Sequence, residues 1–123
     1  MNISFALTTR QFRERTKTVT RRLGWKNAKP GQILVACEKC QGLKKDQHPV
    51  VMGKIRIISV RREPLDVLTD RNYSISYSAT AAAQECIMEG FPEMSPEEFV
   101  RMFCEHNGCD EFAWVTRIEF EYL

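Results

Sequence analysis

The sequence predicts an α+β fold: a small β-barrel or strongly curved sheet of five to six strands with two to four flanking helices. Three observations carry that reading. Residues 113–123 alternate apolar and polar side chains more cleanly than any other stretch, the period of a half-exposed antiparallel strand. Val50 to Val60 supplies a second long strand, rich in Val and Ile. Between them lie two stretches of helical character, one over Ala81–Met88 and one opened by Ser95-Pro96, and no internal repeat or linker interrupts the chain. Its 123 residues fit one domain, 1–123, long enough to bury a core.

Taken in order, Ile3 to Leu7 reads as a short strand running into Thr8-Thr9, either of which can N-cap a helix through Arg15. Lys17-Thr18-Val19-Thr20-Arg21-Arg22 then packs an amine, two hydroxyls and two guanidiniums into one β-branched run, predicted to be a strand that stops at Gly24-Trp25. Alternation puts Thr18, Thr20 and Arg22 on one face and Lys17, Val19 and Arg21 on the other. A site using both Lys17 and Thr20 therefore needs Lys17 on the preceding turn, or a bulge between them. The plainer reading of these six residues is an edge strand with solvated charges.

Lys29-Pro30-Gly31 is a turn that delivers the apolar run Gln32–Cys37, a buried strand, and Gly42–Asp46 is loop. Along Val50–Val60, the residues Val51, Gly53, Ile55, Ile57 and Ser59 share one face; Met52, Lys54, Arg56, Ile58 and Val60 form a wetter one. Pro64–Asp70 reads as a turn and short helix, and Asn72–Ser78 as loop or strand. Ala81–Met88 is strongly helix-forming, with Gly90 as its terminator. Ser95-Pro96-Glu97-Glu98 is a helix start, with an N-cap Ser, Pro at the first position and acids in the first turn. Phe99, Met102 and Phe103 give that helix its apolar stripe. In the closing strand Trp114, Thr116, Ile118, Phe120 and Tyr122 face one way, and Arg117, Glu119 and Glu121 the other.

The net charge of +2 hides a separation along the chain. Residues 1–30 hold Arg10, Arg13, Arg15, Lys17, Arg21, Arg22, Lys26 and Lys29 against the single acid Glu14, while residues 85–123 hold ten acids against Arg101 and Arg117. A basic first quarter favours an anionic partner such as RNA. No apolar stretch approaches the roughly 18 residues of a membrane span, and the N-terminal residues are too polar for a signal peptide. The expectation is a cytoplasmic chain without a membrane partner, its five cysteines reduced.

Several of these segments together resemble an ASCH domain, of the PUA-like superfamily of small β-barrels. The resemblance covers nearly the whole chain. It is carried by Ser4-Phe5, by Lys17 to Arg22, by Pro30-Gly31-Gln32-Ile33-Leu34, by Glu89-Gly90-Phe91, by Ser95 to Phe99 and by the aromatic strand ending in Phe120-Glu121-Tyr122. Lys17, Thr20 and Arg22 fit a K-x-x-[ET]-x-R pattern. The branch with Thr at that place resembles bacterial N4-acetylcytidine amidohydrolases, which implies catalytic roles for Lys17, Thr20 and Glu89. The chain departs from the family in having Arg15 where Gly is usual, and in a longer segment between the second long strand and Glu89. The resemblance implies no cofactor, no metal and no particular protein partner.

The chemistry of that set is coherent. Deacylating an amine requires an activated hydroxyl or water, a proton carrier and charge stabilisation at the carbonyl oxygen. Thr20 supplies the nucleophile or anchors the water, a desolvated Lys17 acts as base, and Glu89 orients Lys17 or shuttles the proton. Arg22 holds a carbonyl or phosphate oxygen. The principal expectation is a cleft lined by Lys17, Thr20, Arg22 and Glu89 that binds RNA or a modified nucleoside. Hydrolysis of an N4-acylated cytidine is the alternative, and ribonuclease activity through Lys17 and Arg22 a weaker one. A structural Lys17–Glu89 ion pair explains the same residues without chemistry.

Aromatics give the binding reading its support. Trp25, Tyr73, Tyr77, Phe91 and Trp114 can stack an unpaired base beside Arg21, Arg22, Arg61 and Arg62, with Trp25 the leading stacking residue and Arg61 a further RNA contact. Cys37-x-x-Cys40 has zinc spacing, and Cys104 and Cys109, with His106 or His48, can complete four ligands. The second pair has imperfect spacing, and Cys37 and Cys86 sit where inert buried thiols are common.

Overall fold

The chain runs through β1 (Asn2–Ser4), α1 (Thr9–Arg13), β2 (Val19–Arg22), β3 (Ile33–Cys37), β4 (Val51–Pro64), a 3-10 turn at Leu65–Leu68, α2 (Ala79–Glu89), α3 (Pro96–Asn107) and β5 (Trp114–Tyr122). The structure, a computed structural model, describes residues 1–40 and 42–123. The strands form one mixed sheet in the order β1-β3-β4-β5-β2. Among the described residues only the β1–β3 pair is parallel. Strand and helix numbers fall within the expected range, but the barrel does not close: among the described residues β1 and β2 are the two edges of an open sheet. After three residues of β1 the chain leaves the sheet for the turn into α1. A side chain crosses the resulting seam, as Arg22 Nη2 donates to the backbone oxygen of Ser4.

β4 is longer than the sequence suggested, running past Val60 to Pro64. Its pairing with β5 shifts between Ile57 and Ser59, a bulge that leaves Ile58 48% exposed. The bulge changes which side faces inward: Ile55 and Ile57 lie in the core before it, and Val60 packs against the same core after it. Extra twist at such a position curls the sheet.

Two apolar cores result. Ile3, Phe5, Phe12, Leu34, Ile55, Ile57, Ile118 and Phe120 fill the space between the sheet and α1. Leu65, Leu68, Ala82, Cys86, Phe99, Val100, Phe103 and Val115 fill the space among the 3-10 turn, α2, α3 and the start of β5. β5 thus contributes to both, and both its faces are covered along part of its length. Arg117, expected on the wet face, is buried and donates to Glu85 of α2 at 2.6 and 3.0 Å. Trp114, expected among the inward residues, is 54% exposed, because it lies at the strand's end beyond the first core.

The helices start and stop where local chemistry dictates. Ser78 caps α2 by accepting from Ala81 N, and Gly90 ends it in the left-handed region at φ 100°. Ser95 and Glu98 form a reciprocal capping box on α3. The segment Asn72–Ser78 is loop. Among the described residues no helix is long and apolar enough to cross a membrane.

Candidate functional site at the open seam

The gap between β1 and β2 is a cavity of about 290 Å³, walled by the β1–α1 turn, the Lys17–Arg22 segment, the end of α2 and one face of α3. Lys17 precedes the first residue of β2, in the irregular stretch after α1. It is therefore free of the strand's pleat, which is how it shares a cavity with Thr20. Its side chain reaches the end of α2, where Nζ donates to the Glu89 backbone oxygen (2.7 Å) and to Glu89 Oε1 (3.0 Å). A cation suits a helix C-terminus, whose last carbonyls lack helical partners. The backbone fixes the same approach: Thr18 N donates to Met88 O at 2.8 Å, and Gln11 Nε2 to Gly90 O at 3.1 Å.

Lys17 is 2% exposed. Desolvation drives its amine below the usual lysine range, and the attraction of Glu89 offsets this only in part. An amine with two donated bonds has a consequence for chemistry. In its neutral form both N–H groups are committed to Glu89, and the lone pair is left free to take a proton.

Glu89 in turn is held from the other side. Arg21, its side chain fully buried, donates from Nη1 to Glu89 Oε2 at 3.0 Å. The same guanidinium pairs with Glu85 and makes longer contacts to Glu63 at 3.4 Å. Burial alone would lower the Arg21 pKa, but Glu89, Glu63 and Glu85 together raise it above the ordinary value. Glu85 also accepts both bonds from Arg117. Its carboxyl is raised by burial and lowered further than that by Arg117 and Arg21, so it sits below the ordinary carboxylate value.

Arg22 differs from these groups. Nε donates to Thr20 Oγ1 at 3.0 Å, Nη2 to Ser4 O, and the guanidinium carbon lies 5.2 Å from the Phe5 ring centre. Burial pulls its pKa down to about 10 despite the opposing attraction of Glu89. Thr20, buried, accepts from Arg22 and keeps its own hydroxyl proton to donate.

Lys17, Thr20, Arg21, Arg22 and Glu89 all border the cavity. Of the remaining sequence candidates, Phe91 and His106 also line it, and the others do not. Arg21, read from the sequence as a ligand contact, spends its donors on carboxylates inside the protein. Trp25 is half-buried against the first core, outside the cavity wall, and adopts a left-handed φ of 53°. Arg61, 52% exposed, pairs with Glu63 and Tyr77. Cys37 and Cys40 lie near one end of the sheet and Cys104 and Cys109 beside the second core; among the described residues no three metal-ligating side chains converge.

Sequence reasoning missed the carboxylate framework of Glu63 and Glu85 and, as part of the site, the apolar wall that Phe99, Met102 and Phe103 form beside Phe91. A signal for the former exists. In α2 the buried positions are Ala82, Glu85, Cys86 and Glu89, a helical stripe at i, i+3, i+4 and i+7 that appears only when the two glutamates are counted as inward-facing.

No family model and no curated protein matches this sequence. The structure is similar to the crystal structure of protein EF3133 from Enterococcus faecalis V583, assigned to the family DUF984. The TM-score is 0.58 at 17% identity, over 93% of this chain and 68% of that one. At this identity the likeness shows the fold alone.

Proposed function

We propose that this chain is a cytoplasmic amidohydrolase that takes a nucleoside with an acylated exocyclic amine into the seam cavity and hydrolyses the amide. One observation carries the reading: a buried lysine, drawn below its ordinary pKa, is clamped by both donors to Glu89 beside the Thr20 hydroxyl in a ligand-sized cleft. Thr20 anchors the attacking water. Neutral Lys17 takes that water's proton as its oxygen bonds to the acyl carbon, and returns the proton to the departing nitrogen as the C–N bond breaks. Glu89 orients Lys17: one carboxylate oxygen accepts from the Lys17 amine and the other from the Arg21 guanidinium, which leaves the Lys17 lone pair as the proton acceptor. Arg22 holds an oxygen of the ligand.

The test is release of the free exocyclic amine from N4-acetylcytidine, from its 5′-monophosphate and from longer acyl analogues, one with a free terminal carboxylate, by wild type and Thr20→Ala. Release that falls at least about a hundredfold in the variant supports the reading; no release by a folded wild type overturns it. Binding of RNA without turnover is the second reading. It is favoured by the exposed Arg10 and Arg13 of α1, next to the turn that walls the cavity. A salt-dependent RNA titration reads it directly.

A further inference from the structure

The charges around the cavity do not balance, and the imbalance is local. Three buried carboxylates, Glu63, Glu85 and Glu89, face three buried cations, Lys17, Arg21 and Arg117, through direct ion pairs. Arg61 adds a half-exposed, solvent-screened contact to Glu63. Arg22 stands outside this set: among the described residues it makes no ion pair, and its protein contacts are a hydroxyl, a carbonyl and an aromatic face. The nearby Cys40 thiol offers no counter-charge, since burial and its Cys37 neighbour push it up to about 11.

A guanidinium carries five N–H donors. Two of Arg22's are bound, and among the described residues Nη1 has no partner. A neutral ligand filling the cleft would strip water from that charge and return nothing of opposite sign, a cost that buried unpaired ions bear in full. A ligand oxyanion would instead meet a planar fork suited to two parallel hydrogen bonds.

We infer that the ligand of the seam cavity carries an anionic oxygen group, a phosphate or a carboxylate, that pairs with Arg22 in the ground state. The inference rests on the proposed function for the identity of the cleft as a ligand site. It adds that the acylated nucleoside is held through a charged substituent: the phosphate of a nucleotide, or a free carboxylate on the acyl chain. Arg22 then selects substrate by binding it, in contrast to a guanidinium that meets negative charge only as the carbonyl oxygen gains it during reaction.

The test is calorimetric titration of the wild-type protein with cytidine and cytidine 5′-monophosphate, and with inorganic phosphate and succinate as bare oxyanion probes. Arg22→Gln and Arg22→Lys are measured alongside. The expected result is affinity for an anionic probe at least about tenfold above cytidine. That margin disappears in Arg22→Gln and shrinks in Arg22→Lys, which keeps the charge but not the fork. Preference for the monophosphate and inorganic phosphate assigns the group to a nucleotide; preference for succinate assigns it to the acyl chain. If wild type binds cytidine and its monophosphate equally and gains nothing from either bare anion, the inference is overturned while the proposed hydrolase stands. If the oxyanions bind through Arg22 but no acylated nucleoside is turned over, the inference holds and the proposed reaction fails. The wild-type comparison decides the matter even where a variant does not fold.

Discussion

Lys17 serves as a base only as a neutral amine, and its surroundings set how much of it is neutral. Desolvation lowers its pKa from the ordinary value of 10.5, so the neutral fraction at any pH below that value exceeds that of a surface lysine. Hydrolysis should therefore rise with pH along a limb whose midpoint lies below 10.5, and Lys17→Arg should abolish both activity and limb. A kcat/KM profile from pH 6 to 10 checks this. Stability carries the same sign: the unfolded chain holds this proton more tightly, so folding gains as pH rises from the folded value toward 10.5. Arg15 stands where the ASCH resemblance expects glycine. It takes φ 60° just after α1, a conformation glycine adopts without cost, and its guanidinium rests 5.2 Å from the Tyr122 ring centre.

At the scale of elements, the end of α2 is the part on which the site depends most. Glu89 contributes a carboxylate and a backbone oxygen to Lys17, and Gly90 turns the chain away immediately afterwards. A Cβ on Gly90 would stand 3.0 Å from both Cβ and Cγ of Gln11, on a backbone at φ +100°. Gly90→Ala should therefore cost about 1–2 kcal/mol, read as a lower urea midpoint, and should reduce turnover by moving the Lys17 acceptors. This element also marks the boundary of what was legible. The start of α3 was readable because Ser95, Pro96 and Glu98 act on their immediate neighbours. Gly90 was readable for the same reason. Arg117 and Arg21 were not, since alternation assigns a charge to solvent unless the covering element is known, and here that cover is α2. The cavity shares this property: Lys17, Thr20 and Glu89 were nameable from their motif, but Glu63 and Glu85 enter only through the tertiary fold.

Over the whole molecule, the buried ion pairs join elements that are far apart in the chain. Arg21 links β2, β4 and α2 through Glu63, Glu85 and Glu89. Its removal would leave carboxylates buried with too little positive charge, so Arg21→Met should destabilise by about 3–5 kcal/mol, measured by chemical denaturation. A loss under about 1 kcal/mol would mean that water reaches these carboxylates. The open sheet has a comparable global effect. Closing β1 onto β2 would complete a barrel but fill the space now held by the cavity, so the missing pairing and the site are one feature.

The strand order also bears on how the chain acquires this site as it is made. β2 carries Thr20 and Arg22, yet its partner in the sheet is β5: Val19 lies opposite Glu119, and Arg22 opposite Thr116. At synthesis rates of about 5–20 residues per second, β2 waits seconds for its partner to emerge, with its backbone donors unpaired. Such distant pairing slows folding. Ligand affinity should accordingly appear with the last refolding phase, and truncation before β5 should leave a nascent chain without the cleft.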